Sequence, residues 1–375
     1  MKKVLFLIGS LEGGGAEKTL TDLVGNLDKT KYDITVVSIK HKGIYIDEIK
    51  KHAHYKALLN IYKKEGHLID FLSNKIMKIM NRLPGKFLYK LFIHEVYDVE
   101  IAYLEGMSTK IISGSNNKLS KKYAWVHTDL QTHSWSTVSY KNLADEKECY
   151  EKFDDIFCVS SDVRDSFEEK YSVTAAVQLN VLDELNIIEK SKQQVADCGS
   201  ANTFRIITVG RFVAQKAYDR LLRVHKKLMD NGFVHELLIV GDGDQRELLT
   251  DYVKANDLGK SVRMVGFQPN PYQYMNLSDL FVCSSITEGY STVATEAVIL
   301  GLPVVTTNCA GMNDLLGDSV YGIITENSEE ALYEGLKRML SDGELYKHYK
   351  QKAKERSSAF KLTNRINEFE NILDR

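Results

Sequence analysis

Short unbroken apolar runs, each ending in a glycine or a polar cluster and followed by apolar residues at helical spacing, recur along most of the chain. The first covers residues 4–8 and leads into Gly9-Ser10-Leu11-Glu12-Gly13-Gly14-Gly15-Ala16-Glu17-Lys18. A helix over 16–27 and a second strand over 33–39 come next. Runs of this kind suit parallel strands buried on both faces, because a strand with one wet face alternates instead. The β-α-β order therefore predicts an α/β chain whose parallel sheets present ligand-binding loops at their carboxyl ends. Similar transitions fall at 98–106, 122–129 and 155–161, the last opening a helix capped at Ser161 or Asp162. Residues 183–203 turn polar and lose periodicity, which reads as a linker after a first domain of residues 1–182. A second series follows, with strands over 204–210, 236–241, 262–266, 280–284 and 303–307 in a domain of residues 204–355. The final helix, from about 329 to the end, leaves residues 356–375 free to pack back on the first domain.

Composition narrows the class. A chain of 375 residues with 43% hydrophobic and 27% charged residues suits two ordinary globular domains. The formal net charge of -2 conceals an asymmetry: residues 1–140 hold 21 Lys/Arg against 14 Asp/Glu, and the remainder 28 against 37. The amino half is the one to meet an anionic surface. Nucleic acid is not an expected partner. Cys149, Cys158, Cys198, Cys283 and Cys309 form no C-x-x-C pair and no metal-ligand spacing, which favours a reducing compartment. The apolar run after Lys2 and Lys3 is too short for a secretion signal, and no stretch reaches the roughly 20 apolar residues of a membrane span. The expectation is a cytoplasmic protein, peripheral on the inner face of the plasma membrane. Residues 68–93 carry the surface: Ile69, Leu72, Ile76, Ile79 and Met80 follow helical spacing, with Lys75, Lys78 and Arg82 among them and Lys86 and Lys90 beyond the Pro84-Gly85 break. Such a segment can rest on anionic lipid; it can equally pack into its own domain with a solvated basic face.

The chemistry centres on Glu288-Gly289-Tyr290-Ser291-Thr292-Val293-Ala294-Thr295-Glu296. Ser291 or Thr292 reads as the cap of a helix ending near Gly301, and unpaired N–H groups at such a start bind anions. Glu296, about four residues on and so roughly 6 Å along the axis, would repel a phosphate but can accept from ribose hydroxyls. In isolation both glutamates read more simply as solvated helix flanks. Arg211 and Lys216, just past the strand over 204–210, alter that balance by adding two cations at the same sheet edge.

With these residues in hand, the chain resembles the retaining glycosyltransferases of family four, whose GT-B fold pairs two facing Rossmann-like domains across a cleft. The most specific elements are Glu288 to Glu296 running on into Ala297-Val298-Ile299-Leu300-Gly301-Leu302-Pro303, Val209-Gly210-Arg211 with Lys216, Val240-Gly241-Asp242-Gly243, Val265-Gly266-Phe267 and Gly13-Gly14-Gly15-Ala16-Glu17. The stretch Phe267-Gln268-Pro269-Asn270-Pro271-Tyr272 is similar to members that build bacterial surface polysaccharide, including capsule. The resemblance implies that Arg211 and Lys216 bind the diphosphate of a UDP-sugar, Glu288 holds the transferred sugar and Glu296 the ribose. It further implies a phosphate cradle of Gly14, Gly15, Gly289, Tyr290, Ser291 and Thr292, and a base site at Gly266, Gln268 and Asn270. His127 would face the reacting sugar, with Glu105 and Asp129 on the acceptor side. Two cations already offset the diphosphate, so no metal and no cofactor are expected. The D-x-D of Asp242-Gly243-Asp244 is accordingly read as a helix start capped by Asp244.

The implied activity is transfer of a hexose or N-acetylhexosamine to a glycan acceptor, lipid-linked in the fullest version. Two other classes fit the same fold: a catalytically silent subunit that binds a partner transferase or a glycan, and a sugar-nucleotide epimerase. A dinucleotide oxidoreductase does not fit, because the glycine loop lacks the G-x-G-x-x-G spacing.

Overall fold

The computed structural model describes residues 1–59, 67–195 and 203–375, with the side chains of 67–74 outside the description. Cys198, part of the expected linker, and the side chains of Ile69 and Leu72 therefore lie outside the described residues. The chain divides into two units, Met1–Leu182 with Thr363–Arg375, and Asp183–Leu362.

In the amino unit the strands β1 (Lys2–Ile8), β2 (Tyr32–Lys40), β3 (His54–Leu59), β4 (Val99–Ala102), β5 (Lys121–Val126), β6 (Asp155–Cys158) and β7 (Ala176–Val177) form one sheet in the order β3-β2-β1-β4-β5-β6-β7. Every pairing is parallel. The second unit repeats the plan with β8 (Arg205–Val209), β9 (Glu236–Val240), β10 (Val262–Gly266), β11 (Leu280–Cys283), β12 (Val304–Thr307) and β13 (Ile323–Thr325), ordered β10-β9-β8-β11-β12-β13. In each sheet the strand order reverses once, between β1 and β4 and between β8 and β11. Loops leaving the carboxyl ends of those strands diverge and open a crevice, which is where ligands bind in open α/β sheets.

The carboxyl-terminal helix, Leu362–Leu373, seats Phe369 in the amino unit, its ring 4.9 Å from Trp125 and 6.1 Å from Phe6. Glu370, on the same helix, accepts from the Asp28 N–H at 3.1 Å and from the Lys31 ammonium at 2.9 Å. The return begins at Thr363 rather than 356, because the Gly343–Ser357 helix is still held by the second unit: Arg356 donates to the Leu315 carbonyl at 2.8 Å. The single final helix expected from 329 is three helices. Asp342 ends the first and caps the second, accepting from the Glu344 and Leu345 N–H groups at 3.0 Å. Residues 184–191, read as linker, are helical and belong to the second unit, with Asp183 capping them through the Asn186 N–H. Ser160, not Ser161 or Asp162, caps the helix after β6, since its hydroxyl reaches the Val163 N–H.

A buried histidine pair supports the second core. The Nδ1 of His235 lies 2.7 Å from the Phe233 carbonyl and so must carry a proton; its Nε2 then accepts from His225 Nδ1 at 2.8 Å, and His225 Nε2 accepts from the Ser261 hydroxyl at 2.9 Å. The chain is complete with both rings neutral. Burial pushes both pKa values down, and the neighbouring His235 adds to the effect on His225, which reaches about 3. Because the folded values lie below the unfolded one, the contribution is complete above pH 6.5 and is lost as pH falls from there toward 3. Stability is therefore expected to fall as pH drops below 6.5. Urea midpoints measured from pH 7 to 5 check this: a His225→Gln/His235→Gln variant should give the shallower profile, and parallel profiles would contradict the account.

Candidate functional site

The reversal point of the second sheet gathers most of the expected residues. Leaving β8, the chain passes Gly210 and Arg211 and makes a tight turn over Ala214–Lys216; leaving β11, it runs through 284–291 into the Thr292–Ile299 helix. Three hydrogen bonds stitch the two loops together. The Ile286 N–H donates to the Gln215 carbonyl at 2.8 Å, the Gln215 amide to the Thr287 carbonyl at 2.7 Å, and the Ser284 hydroxyl to the Lys216 carbonyl at 2.8 Å. Lys216 and Glu288 are thereby delivered to each other from different strands.

Their side chains form a buried ion pair, Nζ to Oε1 at 2.6 Å, and the same oxygen accepts from the Ser285 hydroxyl at 2.6 Å. Burial alone would push Lys216 down. The Glu288 carboxylate outweighs it and holds the ammonium above the usual lysine range. Ser285 is in turn fixed through its carbonyl, which accepts from the Thr307 hydroxyl at 2.6 Å. Sequence reasoning missed Ser285 and Gln215, although a polar pair at the end of an apolar strand was the available signal.

Beyond the pair, Ser291 caps the helix by accepting from the Ala294 N–H at 3.3 Å. Gly311 holds this start in place: with φ at +78° and a Cβ position 2.7 Å from the Gly289 carbonyl, no side chain fits there. Glu296 is buried and accepts from the Tyr272 hydroxyl at 2.9 Å. Arg211 is exposed and makes no side-chain bond among the described residues. Asn270 and Gln268 hold local structure: Asn270 donates to the Lys190 carbonyl at 2.9 Å, and Gln268 to the Val265 carbonyl at 3.0 Å. Gly266 ends β10 at a break in register, with φ at +76°. Asp244 is not a helix cap. The helix starts at Arg246 after Gln245 without any side-chain cap, and Asp242 accepts from the Gly243 N–H at 2.8 Å and the Arg246 guanidinium at 2.6 Å.

The amino unit brings its own candidates to the edge where β4 and β5 end. One oxygen of buried Glu105 accepts from the N–H groups of His127 at 2.6 Å and Thr128 at 2.7 Å, while the other has no partner among the described residues. Burial raises its pKa to about 7 against the pull of those N–H groups. His127 lies 5.0 Å from the Tyr103 ring, and burial drives it down to about 3 despite a bond to the Tyr103 backbone. Its Nε2 is shielded and unpartnered among the described residues, so a neutral imidazole presents an unused polar atom. Asp129 instead closes a local turn, accepting from the Gln131 N–H at 3.0 Å and the Thr132 hydroxyl at 2.9 Å. Gly14 and Gly15 open the Gly15–Asn26 helix with no side-chain cap, and the Glu17 carboxylate lies over Gly14, where a Cβ would stand 2.3 Å from it.

The basic segment is a helix over His67–Arg82 and another over Gly85–Phe92, with Lys75, Lys78, Arg82, Lys86 and Lys90 all exposed. Its apolar side divides. Met80 is buried in the core and Ile76 packs against it, whereas Ile79, Phe87 and Leu91 are about half exposed beside the lysines. Among the described residues no helix is long and apolar enough to cross a membrane.

The chain is similar to known glycosyltransferases. Residues 192–356 match the model of glycosyl transferases group 1. The chain is 27% identical over 372 residues, 96% of each chain, to the N-acetylgalactosamine-N,N'-diacetylbacillosaminyl-diphospho-undecaprenol 4-alpha-N-acetylgalactosaminyltransferase of Campylobacter jejuni. It is 24% identical over 370 residues, again 96% of each, to the amylovoran biosynthesis glycosyltransferase AmsD of Erwinia amylovora. Among solved structures, Anabaena Alr3699/HepE in complex with UDP and glucose superposes over 100% of both chains with a TM-score of 0.76 at 18% identity. That likeness establishes the fold, two parallel-sheet α/β domains of the GT-B class.

Proposed function

We propose that the chain is a family four-like glycosyltransferase that moves a hexose or N-acetylhexosamine from a UDP-sugar to a glycan acceptor, lipid-linked, in surface polysaccharide synthesis, with retention at the anomeric carbon. The observation that carries this reading is the buried Lys216–Glu288 pair at the reversal of the second sheet. A buried charge pair is costly to build unless something uses it, and here both partners sit beside a capped helix start suited to phosphate. The relatives support the acceptor and pathway: one is named for a diphospho-undecaprenol substrate and the other for amylovoran. The HepE complex with UDP supports the donor.

In this reading Lys216 and exposed Arg211 take up the charge that grows on the departing diphosphate, with the Ser291-Thr292 helix start assisting. Glu288 exchanges its lysine bond for hydroxyls of the transferred sugar. Glu296, oriented by Tyr272, holds the ribose. The acceptor oxygen enters on the face the diphosphate leaves, forming the new C1–O bond as the C1–O–phosphate bond breaks, and its proton passes to a donor phosphate oxygen. In the amino unit, His127 and Glu105 are this reading's candidates for sugar contact. Two cations replace the divalent ion that a D-x-D enzyme would need. On the membrane side, Lys75, Lys78, Arg82, Lys86 and Lys90 with half-exposed Ile79, Phe87 and Leu91 suit an anionic surface.

Incubating the protein with labelled UDP-sugars and a lipid-linked glycan tests the proposal. Labelled product with the donor's anomeric configuration by NMR is expected, and its yield should be unchanged in EDTA. Conversion of the donor without any acceptor would instead indicate an epimerase. No turnover of any donor would favour a silent subunit, and an inverted product would contradict retention.

A further inference from the structure

A cavity of about 660 Å³ opens in the amino unit between the turn joining the two basic helices and the loop that enters β5. Its volume falls in the range of small-molecule sites. Lys152, on its wall, is taken by Glu148 at 2.9 Å. Six further cations, Arg82, Lys86, Lys110, Lys118, Lys122 and Lys141, line it with no carboxylate in ion-pair range among the described residues. Asp145 is the other acid present, and its side chain accepts from the Lys141 N–H at 3.1 Å.

Lys110 is the informative member. It is only 5% exposed, and its ammonium is held by two carbonyls, Asn81 at 2.7 Å and Ser139 at 2.6 Å, with no carboxylate in ion-pair range among the described residues; Asp145 acts on it only from further away. A buried cation held by carbonyl oxygens, with a carboxylate only at a distance, is incompletely compensated. Lys122 is held in the same manner, by the Asn117 carbonyl at 2.7 Å and the Ser120 carbonyl at 3.2 Å. The wall itself is built tightly: a Cβ on Gly114 would stand 2.1 Å from the Gly85 backbone, so the 113–118 loop and the first turn of the Gly85–Phe92 helix meet backbone to backbone. Fixed cations crowded around a cavity repel one another until an anion enters, and tetrahedral phosphate oxygens match several ammonium groups at once.

We propose that this cavity is a second anion site, separate from the donor pocket, that binds a phosphate or diphosphate group. Two chain neighbours of its lining, Leu119 at 93% and Phe87 at 53%, and Ile79 at 51%, three residues before Arg82, are apolar and exposed, which places a lipid-ready rim beside a phosphate-ready interior. A phosphate borne by a lipid and a free phosphate share the chemistry that the pocket recognises.

Calorimetry on the full chain, with UDP held saturating so that the Lys216 site is occupied, tests the proposal with pyrophosphate as probe. Binding is expected, and the Lys118→Gln/Lys141→Gln variant, altered only at exposed positions, should bind pyrophosphate at least about tenfold more weakly. A Lys75→Gln/Lys90→Gln control, outside the cavity, should match the wild type. Flotation with phosphatidylcholine vesicles, with and without phosphatidic acid, separates the sources. Vesicle binding that pyrophosphate competes away and the cavity variant lacks assigns a lipid-borne phosphate; pyrophosphate binding without vesicle binding assigns a free one. Absence of pyrophosphate binding, or equal affinity in wild type and cavity variant, overturns the proposal. The comparison is between two proteins differing only in the cavity, so it stands or falls separately from the donor-site reading.

Discussion

Lys216→Ala is expected to lower kcat/KM for sugar transfer about 100- to 1,000-fold, the usual cost of removing one fixed group that stabilises transition-state charge. The same substitution should also destabilise the second unit, by about 3–5 kcal/mol, because Glu288 is left buried beside Ser285 without its cation. The two effects can be separated. In Lys216→Ala/Glu288→Gln the stranded carboxylate becomes a neutral amide of the same shape, so most of the stability should return while activity stays low. Urea unfolding and initial-rate kinetics on the single and double variants give the answer. Activity restored together with stability would mean that the pair is scaffolding and that the diphosphate is held elsewhere.

Phe369→Ala should be the most damaging change far from the chemistry, costing about 3–5 kcal/mol for an aromatic ring lost from a packed core. The ring lies against both Trp125 and Phe6, so its removal strips the attachment of the carboxyl-terminal helix to the amino sheet. The bonds from Glu370 to Asp28 and Lys31 would remain, but they are partly exposed and add little by comparison. A marked fall in the urea midpoint, with kcat unchanged in the fraction that stays folded, is the expected pattern. A midpoint within error of the wild type would mean that the helix contributes nothing to that core.

The sheet architecture was legible because its central strands are unbroken apolar runs, as in residues 4–8 and 280–283. The edge strands were not. β3 reads His-Tyr-Lys-Ala-Leu-Leu with its first residues alternating between exposed and half-buried, and β7 and β13 are too short to show any period. Helix boundaries turned on single side chains: Asp342 splits what reads as one long helix, and Ser160 takes a cap assigned to its neighbours. At the site, the sequence placed Lys216 and Glu288 on one sheet edge but gave them separate ligands. That they pair with each other depends on a loop-to-loop register, set by Gln215, Ser284 and Ile286, that no local pattern encodes. The amphipathic reading of residues 68–93 treated Met80 and Ile79 alike, yet one is core and the other surface, because consecutive residues of a helix at 3.6 per turn point about 100° apart. The cavity behind that segment was invisible for a similar reason: Lys110, Lys118, Lys122 and Lys141 are spread through the sequence and meet only in the fold.

The central claim is that Lys216, paired with Glu288, is the diphosphate anchor of a UDP-sugar site. Titration of UDP into the wild type and into Lys216→Ala/Glu288→Gln by calorimetry tests it most directly, since the double variant keeps the loops folded while removing the cation. The account predicts saturable binding by the wild type and an affinity at least about tenfold lower in the variant, a loss of roughly 1.4 kcal/mol or more. UDP binding of equal strength in both proteins, or none in the wild type, would contradict it.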